Sequence, residues 1–334
     1  MTVNRLAEIA RLAGVSASTV SRTLTRPELV ALRTRQRVMN AVEATEFRPN
    51  EVARSLKQQD SRSIGLVVTD LNPFHAMLVK GVQDTAEQHD LNVILFTSDD
   101  SAAREREALA ILRSHRPQGL ILIPSAHTAE HAHLLTGMIV VELDRHSGLD
   151  GVHTVQVNNR EGTCDAVRHL IAQGHTRIGA IFGQPHVSSA QERLQGFHDA
   201  LAEAGIEHDQ TLIRHGNDLE ASGRIAALDI LNVPAARRPT GLFVSNHEMT
   251  VGAIIAMRAL GLKLPGDISM TSFDDSRLML LHEPPISVVA QPTYELGVQA
   301  CRVLISVMQG AEGQTMQHLR LDAPFIARGS VAPP

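Results

Sequence analysis

The sequence predicts an all-α helix-turn-helix headpiece followed by an α/β body of two doubly wound parallel-sheet lobes. Two short amphipathic helical patterns separated by a glycine occupy the first 25 residues. From Ser63 onward, apolar strand-length runs alternate with helix-length segments, the pattern of parallel strands joined by helical crossovers. A chain of 334 residues is too long for one compact core, which favours a small module joined to larger lobes.

The first helix of the predicted headpiece carries an apolar stripe with the spacing i, i+3, i+4 and i+7. This stripe consists of Leu6, Ile9, Ala10 and Ala13. Gly14 then allows a tight turn, and the hydroxyl of Ser16 can cap a second helix through the amide of Thr19. A helix, a turn with glycine and a capped helix within 25 residues are typical of a helix-turn-helix.

The second helix presents a small, polar and basic face to the outside. Val20 and Leu24 face inward, whereas Arg22 can reach O6 and N7 of a guanine in a major groove. The residues of this segment that we expect at the DNA are Ser16, Ala17, Ser18, Thr19, Ser21 and Arg22.

A third helix is expected after Arg33, with Val38 among its inner residues. Arg33, Arg35 and Arg37 are candidates for phosphate contacts, and a solvated helix face is the alternative for each.

The distribution of charge along the sequence indicates that the N-terminal end of the chain binds a polyanion. Residues 1–60 carry ten Arg and Lys against six Asp and Glu, while the remainder carries 21 against 30.

Two stretches, LAEIARLAGVSASTVSRTL and TRQRVMNAVEATEFRPNEVARSLK, closely resemble the headpiece of the lactose/galactose repressor (LacI/GalR) family of transcriptional regulators. The segment RPNEVARSL resembles the hinge helix of that family, which folds on the operator in a dimer. The resemblance implies that Leu56 wedges into a base step of the minor groove, that Ala53 lets two hinge helices pack, and that Asn50 contacts DNA. An ordinary linker helix is the alternative. Ala31 stands where the family usually has a serine cap, which lowers headpiece stability by about 1 kcal/mol.

Strands of the body are expected at 64–68, 93–96, 120–123, 139–143, 178–182, 242–244 and 268–273. Helices are expected at 74–89, 104–115, 162–173, 190–204, 250–260 and 294–308. The resemblance implies a body like that of periplasmic sugar-binding proteins. We expect a DNA-binding domain at 1–46, a hinge and linker at 47–60, and an effector-binding and dimerisation domain at 61–334. Its first lobe is placed at 62–156 and 289–318, and its second at 157–288 and 319–331.

Open α/β sheets bind ligands beyond the carboxyl ends of their strands, so the residues that follow each strand are candidates. Amide, carboxylate and guanidinium groups at these positions suit a polyhydroxylated ligand, and Phe74 offers a face for a sugar ring. Arg193, in ERLQGF, resembles the ligand-clamping arginine of the family. The predicted ligand-binding residues are Asn72, Phe74, Ser125, Asp144, Arg145, Arg193, Asp218, Asn246, Asp274 and Gln291. A helix cap is the alternative for residues that follow a strand, and Asp275 is expected to stabilise its loop.

Two departures from the family bear on the ligand. His247 stands where many members have an aspartate, and Asp218 stands where many have an aromatic wall residue. Arg145, Arg193 and His247 would tolerate an anionic ligand, whereas Asp218 favours hydroxyl groups. A sugar, a sugar acid and a sugar phosphate therefore all stay open.

These features favour a transcriptional repressor that binds a palindromic operator as a homodimer under the control of a small-molecule effector. A sugar-binding transport component is the alternative, but it leaves the headpiece unexplained. We expect no enzyme and no cofactor, because no catalytic set, metal site or dinucleotide fingerprint is evident. The sequence has no transmembrane run or signal peptide, and its two cysteines imply no disulfide framework, so a cytoplasmic protein is expected.

Overall fold

The computed structural model describes residues 2–25, 27–45, 62–310 and 316–334. The predicted hinge, with Asn50, Ala53 and Leu56, lies outside these ranges. The chain divides into two compact units, Met1–Arg62 and Ser63–Pro334. Along the described ranges, no helix is both long enough and apolar enough to cross a membrane.

The described part of the first unit is all-α, as predicted. Its helices are α1 (Thr2–Ala13), α2 (Ala17–Thr25) and α3 (Leu32–Ala44). Ile9, Val20 and Val38, one from each helix, are completely buried together. The predicted stripe and inner faces therefore form the core of this unit.

Side chains of the first unit also hold the ends of its helices. Gly14 adopts a φ of +61°, and the amide of Thr19 donates to Oγ of Ser16 at 3.1 Å, so the predicted turn and cap are present. The guanidinium of Arg37 donates to the carbonyl oxygens of Ala13 and Gly14, the latter at 3.2 Å. That of Arg35 donates to the Pro27 carbonyl oxygen at 2.8 Å. Both arginines thus bind backbone groups within the headpiece.

Two mostly parallel sheets form the second unit, as predicted. The strands are β1 (Ser63–Val68), β2 (Asn92–Thr97), β3 (Leu120–Leu122), β4 (Val140–Leu143), β5 (His153–Val157), β6 (Ile178–Phe182), β7 (Ile213–His215), β8 (Gly241–Val244), β9 (Ser269–Phe273), β10 (Ser287–Val289), β11 (His318–Leu321) and β12 (Phe325–Ile326). The first lobe contains the sheet β11-β5-β4-β3-β1-β2, and the second lobe contains β12-β10-β9-β8-β6-β7. In both sheets the described pairings are parallel except that of β10 with β12.

Helices cover these sheets and pack against each other in pairs. They are α4 (Pro73–Gln88), α5 (Ala102–His115), α6 (Ala132–Leu135), α7 (Asn159–Ala172), α8 (Ser188–Glu203), α9 (Glu220–Leu231), α10 (His247–Ala259), α11 (Arg277–Leu281) and α12 (Thr293–Met308). Helix α4 packs on α12, α7 on α8, and α9 on α10. Each predicted helix of the body is present within three residues of its expected limits.

The chain passes between the lobes three times. The first two passages follow β5 and β10, close to the predicted positions. The third passage was expected after residue 318. Residues 318–321 instead form β11, which pairs in parallel with β5 and extends the first sheet, so the chain crosses after β11. Residue 289 likewise pairs with β9 and belongs to the second lobe. The passages bring the carboxyl ends of both sets of parallel strands toward the same cleft.

Candidate functional sites

A cavity of about 480 Å³, here named the inter-lobe cavity, lies where strands of both lobes end. Nine of the ten predicted ligand-binding residues line it: Asn72, Phe74, Asp144, Arg145, Arg193, Asp218, Asn246, Asp274 and Gln291. Its volume is in the range of small-molecule sites. Loops after the strands therefore bring together residues that lie far apart in the sequence.

Ser125 is the predicted residue that does not line this cavity. Its amide donates to the buried carboxylate of Glu105 at 2.8 Å, and its hydroxyl accepts from the amide of His127 at 3.2 Å. It borders a separate pocket of about 30 Å³. The loop after β3 thus uses Ser125 to hold its own backbone.

Arg193 is fixed in the cavity wall by three contacts. Nε donates to Oδ1 of Asn159 at 2.8 Å, and Nη1 donates to the Ser245 carbonyl oxygen at 2.6 Å. The guanidinium carbon lies 3.8 Å from the centroid of the Phe273 ring, a cation–π contact. These three contacts fix the orientation of the guanidinium plane, and none of them involves Nη2.

Asp274 joins His247 to Gln291. Its Oδ2 accepts from the backbone amide of His247 at 3.3 Å and lies 3.2 Å from Nδ1 of that histidine, while its Oδ1 accepts from Nε2 of Gln291 at 2.6 Å. Burial disfavours the charged form of His247 and by itself would lower its pKa. The hydrogen bond to Asp274 and the charge of that carboxylate outweigh burial and raise the pKa of His247 above its usual value. Burial by itself would raise the pKa of Asp274, but the hydrogen bond with His247 and the charge of Arg193 lower that pKa below its usual value. The contact therefore favours the imidazolium form of His247 and the carboxylate form of Asp274.

Arg145 lies between two acidic residues of the first lobe. Its Nη1 donates to both carboxylate oxygens of Asp100, at 2.9 and 3.1 Å, and its Nε lies 3.6 Å from Oδ2 of Asp144. Burial raises the pKa of Asp144, although Arg145 and Arg193 act to lower it. A buried, poorly solvated carboxylate thus faces the cavity.

Asn246 both caps a helix and positions an acid. Its Oδ1 accepts from the amide of Met249 at 2.8 Å, and its Nδ2 donates to Oδ1 of Asp218 at 2.9 Å. Burial raises the pKa of Asp218. A Cβ atom on Gly183 would lie 2.2 Å from Oδ1 of this aspartate, so a glycine is needed beneath it. Asn72 is also a cap, because its Oδ1 accepts from the amide of His75 at 3.0 Å.

Several lining residues were absent from the predicted set. They are Thr69, Asp70, His75, Asp99, Asp100, Gln184, Ser189, Asn217, Leu219, His247 and Glu248. The rule that selects residues after strands does reach Asp70, Asp99 and His247, which follow β1, β2 and β8, and it extends to Asp100 and Gln184 after β2 and β6. His75 lies on α4, and its Nδ1 is 2.8 Å from Oδ1 of Asp70, a contact that no sequence pattern indicates.

The outward face of α2 is the second candidate site. Ser16, Ala17, Ser18 and Arg22 are exposed, while Thr19 and Ser21 are half-buried. Oγ of Ser16 lies 2.8 Å from both Oγ of Ser18 and Oγ1 of Thr19, so hydroxyl groups at the start of α2 bind each other. On α3, Arg33 is exposed. The face of α2 is small and polar and carries the exposed Arg22, and a face of this kind can enter a groove of DNA.

Comparisons with known proteins match segments in both units of the chain. Residues 5–50 match the family model described as bacterial regulatory proteins of the lacI family, and residues 167–331 match that of a periplasmic binding protein-like domain. The HTH-type transcriptional repressor CytR of Escherichia coli K12 is 31% identical, with 98% of this chain and 96% of that protein covered.

Two solved structures extend this similarity. The Lac repressor dimer bound to operator and the anti-inducer ONPF is 26% identical, with a TM-score of 0.85 and 97% and 98% of the two chains covered. A putative ribose operon repressor from Burkholderia thailandensis is 35% identical, with a TM-score of 0.74 and 80% and 99% covered.

Proposed function

The chain belongs to the LacI family of bacterial regulatory proteins, and we propose which of its residues bind operator DNA and which effector it senses. It is a sequence-specific DNA-binding transcriptional regulator with an effector-binding body, and not an enzyme. A role as a transport component is not favoured, because it gives the matched segment 5–50 no function. The proposed domains are 1–46 for DNA binding, 47–60 for the hinge, and 61–334 for the effector and the dimer.

The proposed base-reading surface is the outer face of α2. Ala17 and Ser18 allow close approach to the bases, and Arg22 can donate two hydrogen bonds to a guanine. The exposure of these three residues supports this role. Ser16, Thr19 and Ser21 complete the face, Arg33 binds phosphate, and Asn50, Ala53 and Leu56 belong to the hinge contact. A dimer is needed, since one headpiece reads only half of a palindromic operator.

The proposed effector is a small polyhydroxylated molecule held in the inter-lobe cavity. One observation carries this proposal: four buried atoms of the cavity wall lack hydrogen-bond partners among the described residues. They are Asp144 Oδ1, Arg145 Nε, His247 Nε2 and Gln291 Oε1. Nε of Arg145 lies 3.6 Å from Oδ2 of Asp144, and Nε2 of His247 lies 3.2 Å from Oε1 of Glu248. Nε of Arg145 can donate and the oxygens of Asp144 and Gln291 can accept, and a hydroxyl group can satisfy either kind. The similarity to a putative ribose operon repressor supports a sugar-like ligand.

The proposed control follows from ligands that bridge the lobes. A ligand that contacts Asp144 and Arg145 of the first lobe and Arg193 and Asp274 of the second favours one lobe arrangement. If that arrangement differs in its affinity for the operator, linkage requires that operator binding changes the affinity for the effector by the same factor. An effector that lowers operator affinity is then an inducer, and one that raises it is a corepressor.

The DNA-binding proposal is tested with the full chain and a pool of genome-derived duplexes. Selected duplexes should bind with an affinity that falls steeply as salt rises, because phosphate contacts release counterions. Substituting Arg22→Ala should relax the preference at one base pair in each half-site. If binding shows neither sequence preference nor salt dependence, the assignment of α2 is wrong.

The effector proposal is tested by a thermal-shift screen of sugars and their derivatives. A ligand at about 100 times its Kd stabilises the protein by about 2.7 kcal/mol. Arg193→Ala should abolish the shift, whereas Arg302→Ala, at an exposed arginine of α12, should retain it. An unchanged shift in Arg193→Ala would contradict the placement of the ligand.

A further inference from the structure

Acidic side chains outnumber basic ones in the inter-lobe cavity. Among its described lining residues the acids are Asp70, Asp99, Asp100, Asp144, Asp218, Glu248 and Asp274. The guanidinium groups are those of Arg145 and Arg193, and the imidazoles are those of His75 and His247. Asp99 has a separate partner in the exposed Arg104. Six acidic side chains then face two arginines and two imidazoles, and burial raises the pKa of two of these acids, Asp144 and Asp218.

The cations in this cavity are already engaged with other groups. Arg145 binds Asp100 at 2.9 Å, and His247 lies 3.2 Å from Asp274. His75 lies 2.8 Å from Asp70 in the same way. Arg193 donates to neutral oxygens and lies over an aromatic ring. Three of the four basic side chains of the lining are thus paired with a carboxylate, and Arg193 is the one whose hydrogen-bond partners among the described residues are neutral.

Asp144 and Asp218 are buried acids of the cavity that accept no hydrogen bond from a basic side chain among the described residues, although Arg145 and Arg193 act on both through their charge. Oδ1 of Asp144 has no hydrogen-bond partner within the part of the chain that the structure describes, and Arg145 stays 3.6 Å from its other oxygen. Asp218 accepts from neutral donors, the Asn246 amide group and the backbone of Gln184. Asp144 is 5% exposed and follows β4 of the first lobe. Asp218 follows β7 of the second.

We propose that the effector is a polyhydroxylated molecule that carries a protonated amine, recognised by Asp144 from one lobe and Asp218 from the other. This inference rests on the proposed function and specifies the charge of its ligand. Leaving a buried carboxylate without a compensating charge is unfavourable, and an ammonium group supplies both a charge and three donors. A sugar acid or sugar phosphate would instead bring another acidic group close to these two buried aspartates.

The test uses the full chain and sets of three ligands on one carbon skeleton. Each set holds a neutral sugar, its amino derivative and its acid, such as glucose, glucosamine and gluconate, or the corresponding galactose and ribose derivatives. We expect the amino member to give the largest thermal shift in the skeleton that binds best. The Kd of the amino member, measured by calorimetry, should be at least about tenfold lower than that of the neutral member. This Kd should also rise as the salt concentration is raised from about 20 to about 200 mM, because salt screens the interaction between charges.

A neutral or acidic member that binds more tightly than the amine would overturn the inference and leave the polyhydroxylated effector standing. If no member of any set binds, the polyhydroxylated effector itself is wrong. The two failures are therefore distinguishable.

Charge-neutral variants test the two aspartates directly. Asp144→Asn and Asp218→Asn keep the shape of the side chain, so each should lower affinity for the amine about tenfold and for its neutral counterpart less than threefold. Asp229→Asn, at an exposed acid of α9 that pairs with Arg214 and does not line the cavity, is the control and should change neither. Equal losses for amine and neutral ligand would show that these aspartates bind hydroxyl groups only. Should either variant fail to fold, the salt dependence of the unmodified protein decides.

Discussion

Nδ1 of His247 lies 3.2 Å from Oδ2 of Asp274, and the two side chains are 6% and 10% exposed. The contact joins the first residue of α10 to the loop after β9, both at the wall of the inter-lobe cavity. It raises the pKa of His247 and lowers that of Asp274, in each case against the effect of burial. The contact therefore favours the charged forms of both side chains at the wall of the second lobe.

Replacing His247 should flatten the dependence of stability on pH. Because its folded-state pKa lies above 6.5, the contribution is complete below pH 6.5 and is lost as pH rises through the folded pKa. We expect the Tm of the unmodified protein to fall over this upper range, by about 2–4 °C per kcal/mol. His247→Gln should lack that fall, and His186→Gln, at an exposed histidine, should retain it. The same pH profile in His247→Gln would contradict the pairing.

Adding a methyl group at Gly252 should destabilise the second lobe. A Cβ atom there would lie 2.0 Å from the carbonyl oxygen of Glu220 and 2.6 Å from the amide of Arg224, where α10 packs on α9. Backbone atoms cannot move aside easily, so Gly252→Ala should lower the free energy of unfolding by about 1–3 kcal/mol. Urea unfolding measures the change. Gly266→Ala is the control, since its nearest neighbouring atom is 3.8 Å away; equal midpoints in the two variants would refute the packing argument.

Much of the fold was predictable because most strands are apolar runs and most helices carry long periodic segments. The exceptions have separate physical causes. Strand β5 buries His153, Thr154 and Gln156, and polar residues in a buried strand do not give an apolar run. Helix α9 has Gly223 near its start, where it packs against Met249 of α10, and a glycine weakens a helical pattern in the sequence. Strand β12 has only two residues.

The site was predictable to the extent that strand ends determine it. Asp144 and Asp274 follow β4 and β9, so their convergence follows from parallel topology. The path of a loop is not determined in this way, which is why Ser125 turned out to bind its own loop. The Asp70–His75 contact depends on the orientation of a helix, which a single sequence does not reveal.

Arg33 and Arg37 should respond differently to substitution, although both are arginines of α3. Arg33 is exposed, so Arg33→Ala should weaken binding to any operator and reduce the slope of log affinity against log salt by about 1. Arg37 instead binds carbonyl oxygens at the end of α1, so Arg37→Ala should lower headpiece stability. Fluorescence anisotropy at several salt concentrations, with circular dichroism of each variant, separates the effects. Loss of stability in Arg33→Ala, with an unchanged salt slope, would reverse the assignment.

Helix α11 should contribute to contact between two copies of this chain. Leu278, Leu280 and Leu281 are 57%, 57% and 78% exposed, although Met279 between them is fully buried and fixes the helix to the lobe. Three exposed leucines in five residues form a surface that water solvates poorly, and a dimer axis would pair it with its own copy. Leu281→Asp should raise the dimer dissociation constant at least tenfold in sedimentation experiments, and should weaken operator binding, since a dimer reads both half-sites. Ile326→Asp, at a partly exposed residue of β12, is the control; the same dissociation constant in both variants would exclude α11 from the interface.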